Sequence, residues 1–143
     1  MIDSNLKRTL ILDNFQNPIN KGLKNNKDYI KINTNNESCI DEVNLMVKLE
    51  DNIIKDIRFD GEACAICTSS TSIMIKLLLN KNLSELNDMI RNFKKMINGE
   101  EYDSELLKDA NVYNDIYLQP SRKTCALLPW FAIEKIIEVR END

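Results

Sequence analysis

Four cysteines hold the chemistry this sequence could perform: Cys39, Cys64, Cys67 and Cys125. Cys64 and Cys67 stand three residues apart, after Gly61 and before the hydroxyl run Thr68-Ser69-Ser70-Thr71-Ser72. At the start of a helix, two thiols with that spacing share one side. The open N–H groups and positive dipole end there favour thiolate, the form that binds metal and attacks sulfur. Asp41 follows Cys39 by two positions, so on extended chain both point the same way. The candidate ligands are Cys39, Asp41, Cys64, Cys67 and Cys125. Three thiolates and one carboxylate suit Zn²⁺, which accepts sulfur and oxygen and has no geometric preference of its own. Arg122 and Lys123, beside Cys125, would offset the surplus negative charge. Plainer readings stand alongside. A cysteine is often a small core residue, Asp41 could be solvated, and Arg122-Lys123 could be an exposed basic pair. A single C-x₂-C is shared by zinc sites and thiol–disulfide proteins, and spacing alone leaves both open.

Composition narrows the field. The chain has no histidine, which removes the commonest metal ligand and the usual general base. With 143 residues, 43% hydrophobic and 29% charged, it reads as one globular domain over 1–143. A net charge of −4 offers no basic surplus for phosphates, so no nucleic acid is expected as partner. The opening MIDSNLKRTLILDNF carries charge through its apolar part and reads as an amphipathic helix, not a leader peptide. No stretch approaches the roughly 20 apolar residues of a membrane span, so no membrane partner is expected. The expected compartment is cytoplasmic, where thiols stay reduced.

Elements able to position these residues follow from periodicity. Residues 4–16 read as a helix capped by Ser4, with Leu6, Leu10, Ile11 and Phe15 inward and Asn17-Pro18 as its stop. NPINKGLKNN reads as a loop and Tyr29–Ile32 as a short strand. Val43, Leu45, Val47 and Leu49 alternate with Asn44, Met46 and Lys48, Glu50-Asp51-Asn52 turns, and Ile53–Phe59 returns as the partner strand. After Gly61 the spacing of Ile66, Ser70, Ile73, Met74 and Leu77 predicts a helix ending near Asn80. Asn82 and Glu85 form a capping-box pattern before a helix burying Leu86, Met89, Ile90, Phe93 and Ile97, closed by Asn98-Gly99. Short helical pieces are expected over 100–119, then a loop from Gln119-Pro120 to Cys125. A last helix runs to about Val139 with Pro129 in its first turn and Trp130, Ile133, Ile136 and Ile137 inward. The expected fold is α+β: a small three-stranded antiparallel sheet, helices packed mainly on one face, and the site at the sheet's end.

Four ordered motifs add a family resemblance over nearly the whole chain. DNFQNPINKG resembles D-x-(Y/F)-x-N-P-x-N-x-G, and Cys39-Ile40-Asp41 resembles C-G-D. GEACAICTSSTSIM is similar to G-x-G-C-x-I-x-x-A-S-A-S-x-M, and PSRKTCALLPW to P-x-R-x-x-C-A-x-L-x-W. These are motifs of the NifU/IscU family of iron–sulfur assembly proteins. Thr124 stands where the IscU branch has histidine, and FKKMINGEEYDSELLKDANVYNDIYLQ looks like the insertion of the SufU branch. Ile40 and Ala63 stand where the family has glycine. The resemblance implies a SufE/NifU-like fold and a zinc site made by Cys39, Asp41, Cys64 and Cys125. It implies as partner a pyridoxal-phosphate cysteine desulfurase of the SufS type, within the iron–sulfur assembly machinery. Cys39 would accept persulfide sulfur, and Arg122 would neutralise the site or orient the partner. The alternative it carries is an IscU-type scaffold that builds an Fe–S cluster and passes it on. Cys67, an extra thiol, could be a core residue, an alternative ligand or a redox partner of Cys64, and is read as the first.

Overall fold

The alternating apolar residues of 43–49 and 53–59 pair as a hairpin, closed by Asp51 and Asn52, both in the left-handed region (φ 54° and 61°). Two successive positive-φ residues match the right-handed twist of the strands they join, and Asp and Asn tolerate that conformation. The computed structural model of the chain describes residues 3–24, 27–35 and 41–141. Its elements are helix α1 (Ser4–Gln16), strands β1 (Tyr29–Asn35), β2 (Glu42–Glu50) and β3 (Ile53–Asp60), and helices α2 (Ala65–Leu78) and α3 (Leu83–Ile97). A short helix α4 (Ser104–Leu107) and two 3₁₀ turns, Lys108–Tyr113 and Ile116–Leu118, lead to α5 (Pro120–Glu141). The sheet is antiparallel in the order β1-β2-β3. The expected α+β fold is therefore present, with β1 reaching Asn35, beyond Ile32.

One sheet face carries Val43, Leu45, Val47, Ile57 and Phe59 into a core shared with α2, α3 and α5. The other face sets Lys31, Met46 and Arg58 in register. There the segment after α1 runs along β3, with the Gly22 N–H donating to the Phe59 carbonyl (2.7 Å) and Arg58 Nε to the Gly22 carbonyl (2.8 Å). Helix α3 opens as expected, its Asn82–Glu85 capping box complete and all five anticipated residues buried. Among the described residues no helix is long and apolar enough to cross a membrane.

Readings of three helices are corrected. Helix α5 begins at Pro120, so 119–125 is not a loop: proline's fixed φ suits the first helical position, where its missing N–H costs nothing. Pro129 consequently lies mid-helix, and its absent N–H deprives the Cys125 carbonyl of its usual intrahelical donor. Helix α1 is capped by Asp3, whose side chain accepts from the Leu6 N–H (2.8 Å), not by Ser4. Leu6 and Phe15 are exposed, while Leu10 and Ile11 pack against the core as expected, and α1 adds a polar contact: buried Asn14 accepts from Ser72 Oγ (2.7 Å) and Lys76 Nζ (2.9 Å). Finally α2 is not one-faced. Every residue from Cys67 to Ile75 is buried, while Ile66 and Leu77 are only half so.

Gly61 ends β3 with φ +132°, and a methyl there would lie 2.1 Å from the Glu42 carbonyl oxygen. That close approach lets the Glu42 N–H donate to the Glu62 carbonyl (2.7 Å) and turns the chain toward α2. Gly61→Ala combines a disfavoured φ with a backbone clash, and should cost about 3 kcal/mol or more. Urea denaturation will show it as a lower midpoint; an unchanged midpoint would contradict the close approach.

Candidate metal centre

Asp41 immediately precedes β2, Cys64 caps α2, and Cys125 lies in the second turn of α5. Their ligand atoms all fall within 4.8 Å of one another. The turn at Gly61 makes the first junction. It brings the Cys64 N–H to Asp41 Oδ1 (2.7 Å) and the Cys64 thiol to Asp41 Oδ2 (3.5 Å). The Cys64 side chain also accepts from the Cys67 N–H (3.4 Å), so the sulfur serves as N-cap of α2. Asp41 is 1% exposed and Cys125 9%, whereas Cys64 faces solvent. The group is thus a carboxylate and a thiol set into the protein with a second thiol at the mouth.

Helices α2 and α5 make the second junction. Ser70 Oγ donates to the Ala126 carbonyl (2.7 Å) and accepts from Trp130 Nε1 (3.3 Å), all without solvent exposure. Trp130 stacks on Phe93 with centroids 4.1 Å apart, fixing the indole that Ser70 meets. Ser69 Oγ shares a hydrogen with Tyr113 Oη (2.5 Å), tying the segment before α5 to α2. Hydroxyls are poor helix formers in isolation, so a buried run of them needs partners of this kind. The sequence shows the run as a small-residue motif; only the structure shows that Ser70 bridges to the neighbour of Cys125.

The electrostatics call for a cation. Burial, a hydrogen bond with Asp41 and the negative charge of Cys64 together hold the Cys125 thiol well above its ordinary range. A carboxylate and two sulfurs this close cannot all be anionic unless positive charge is added among them. The donor set fits Zn²⁺, which takes thiolate sulfur and carboxylate oxygen, and no competing imidazole exists in the chain.

Of the residues singled out in the sequence, Asp41, Cys64 and Cys125 come together; Cys39 and Ile40 lie outside the described residues. Cys67 is fully buried in the core as read, its N–H on Cys64 Sγ. Arg122 is exposed on α5, one turn before Cys125. Ala63 keeps a negative φ, so losing a family glycine there imposes no strain.

Comparison with known proteins places this geometry in context. The NifU-like N terminal domain family matches the chain over residues 6–138. The zinc-dependent sulfurtransferase SufU of Bacillus subtilis is 36% identical, over 96% of this chain and 92% of its own. The iron–sulfur cluster assembly scaffold protein IscU of Thermotoga maritima is 33% identical over 72% of each chain. A structure from Fervidobacterium islandicum, assigned as an iron–sulfur cluster assembly scaffold for the SUF system, superposes with a TM-score of 0.82 at 30% identity, covering 93% of this chain and 98% of that one. A NifU-like protein of Brucella abortus shares the fold alone, at TM-score 0.85 and 19% identity over 94% and 93% of the two chains.

Replacing Ser70 by Ala strands the buried Trp130 N–H and loosens the α2–α5 junction. The expected loss is about 2 kcal/mol in urea denaturation, because an unsatisfied buried donor bears its full desolvation cost. Stability equal to wild type would show that Ser70 does not bridge the helices.

Proposed function

Because the chain belongs to the NifU-like N terminal domain family of iron–sulfur cluster assembly proteins, we propose that it carries sulfur in that process as a SufU-type, zinc-dependent sulfurtransferase. The observation that supports this most is the convergence of Asp41, Cys64 and Cys125 in a chain without histidine. With Cys39, this set would hold zinc in a single domain over 1–143. Bound zinc supplies positive charge that keeps the thiols deprotonated while damping their nucleophilicity. Asp41, an oxygen donor among sulfurs, is the weaker ligand, and its hydrogen bond to the Cys64 N–H steadies it when contacts change.

Cys39 is the sulfur acceptor. Its thiolate attacks the outer sulfur of the donor's persulfide, a new S–S bond forms on Cys39, and the donor cysteine leaves with the electron pair of the broken bond. Arg122 presents its positive charge on the exposed start of α5, where it orients the approaching partner. That partner is a SufS-type, pyridoxal-phosphate cysteine desulfurase, and the compartment is the cytoplasm, where thiols persist. The kinship with the Bacillus SufU supports this reading, as does Thr124 at the position of the IscU-branch histidine.

A second reading, a scaffold that holds an Fe–S cluster as cargo, is favoured by the relatives named as scaffolds. Three thiolates can hold such a cluster. The two separate in one assay set. On the first reading, Cys39→Ala abolishes stimulation of a cysteine desulfurase by at least about tenfold, with little change in thermal midpoint. Full stimulation by the variant would remove Cys39 from the role, and anaerobic reconstitution of a cluster that moves to an apo-acceptor would establish the scaffold.

A further inference from the structure

The end of α2 far from Cys64 borders a cavity of about 280 Å³, near the lower bound of roughly 300 Å³ for small-molecule sites. Its floor is apolar, made by Ile73 and Leu77 on α2 and Met89 on α3, with Ile73 and Met89 buried. Ile73 and Leu77 are four apart and so share one face of the helix. Three lysines line the rim: Lys76 in the last turn of α2, Lys81 in the link to α3, and Lys108 in the first 3₁₀ turn. Lys108 holds φ 45°, a disfavoured conformation for a residue with a long side chain, where α4 gives way to that turn. Lys76 Nζ gives one hydrogen to Asn14 Oδ1 (2.9 Å) and keeps two donors. Among the described residues none of the three lysines is in an ion pair, and Asp109, on the same rim, pairs with none of them. In a chain of net charge −4, this leaves a local surplus of positive charge over an apolar floor.

We propose that this cavity binds a small aliphatic carboxylic acid as its anion. The ligand's chain lies on Ile73, Leu77 and Met89, and its carboxylate meets the lysines at the rim. Both halves of the ligand follow from the lining. Three ammonium groups around one opening repel one another, and an anion among them relieves that repulsion, more strongly over an apolar surface than in open water. The floor's side chains offer no strong donor or acceptor, so a phosphate or a nucleobase would leave them unused, whereas an aliphatic chain covers them. The Met89 thioether and the lysine stems adapt to that chain while the ammonium groups stay at the surface. Nine residues of helix, about 14 Å, separate Cys64 from Ile73. Occupancy therefore leaves the metal donors in place, and the proposal is independent of the sulfur-carrier reading.

The test titrates octanoate into the whole chain, methyl-labelled for NMR, at low salt. Succinate and 1-octanol are the comparison probes, one keeping only the charge and the other only the chain. Octanoate should shift the methyls of Ile73, Leu77 and Met89 with a Kd of about 1 mM or tighter. Each comparison probe should bind at least about fivefold more weakly. The double variant Lys81→Gln with Lys108→Gln should lose at least about fivefold in octanoate affinity, with its thermal midpoint unchanged. Equal binding of 1-octanol and octanoate, full affinity in the double variant, shifts centred elsewhere, or no shift up to about 10 mM octanoate would each overturn the site. None of these results bears on metal content or on Cys39. Should the double variant not fold, the three probes on wild type decide.

Discussion

The crossing of α2 and α5, two helices buried against the sheet and each other, is the constraint on which the site depends. Cys64 stands at the start of one and Cys125 near the start of the other, so the separation of the two sulfurs is set by how these helices meet. Ser70 occupies that meeting point, bonded to the carbonyl of Ala126 and to the Trp130 indole, with Phe93 stacked behind. A hydroxyl satisfied on both sides costs little to bury and holds one relative register of the helices; an unsatisfied one would be expensive. The position of Asp41 is fixed from the other direction, by the hairpin end at Gly61. Rigid elements thus deliver one oxygen and two sulfurs to one place.

That rigidity gathers acidic groups that bear on one another at close range. Asp41 is almost wholly excluded from water and Cys125 nearly so, and the Cys125 thiol holds its proton against both neighbours. Under the proposed function a cation would take that proton's place, with exposed Cys64 able to exchange partners at the surface. Sulfur chemistry needs such exchange, since a thiol fully closed on a metal cannot attack.

Much of the fold was legible because it rests on local pattern. Alternation identifies β2, Glu50-Asp51-Asn52 identifies the turn into β3, and Asn82 with Glu85 identifies the start of α3. Reading failed where long-range contacts decide. Nothing near Leu6 or Phe15 tells that α1 also docks through Asn14, because Ser72 and Lys76 are some sixty residues away. The first turn of α5 looked like a loop because Gln119-Pro120 and the polar residues after it have no periodic apolar signal; the burial begins only at Cys125. The site was legible in a different way. Asp41, Cys64 and Cys125 were candidates by residue type, but the motif resemblance separated them from Cys67, which obeys the same spacing rule. The bridging role of Ser70 was invisible until Trp130 could be seen beside it.

The account turns on whether the convergent donors hold an ion. The direct measurement is elemental analysis of protein purified without added metal, on wild type and Asp41→Ala. About one zinc per chain in wild type, with little iron and a marked loss in the variant, is the predicted result. Wild-type protein free of metal, and unable to take up zinc when it is offered, would contradict it.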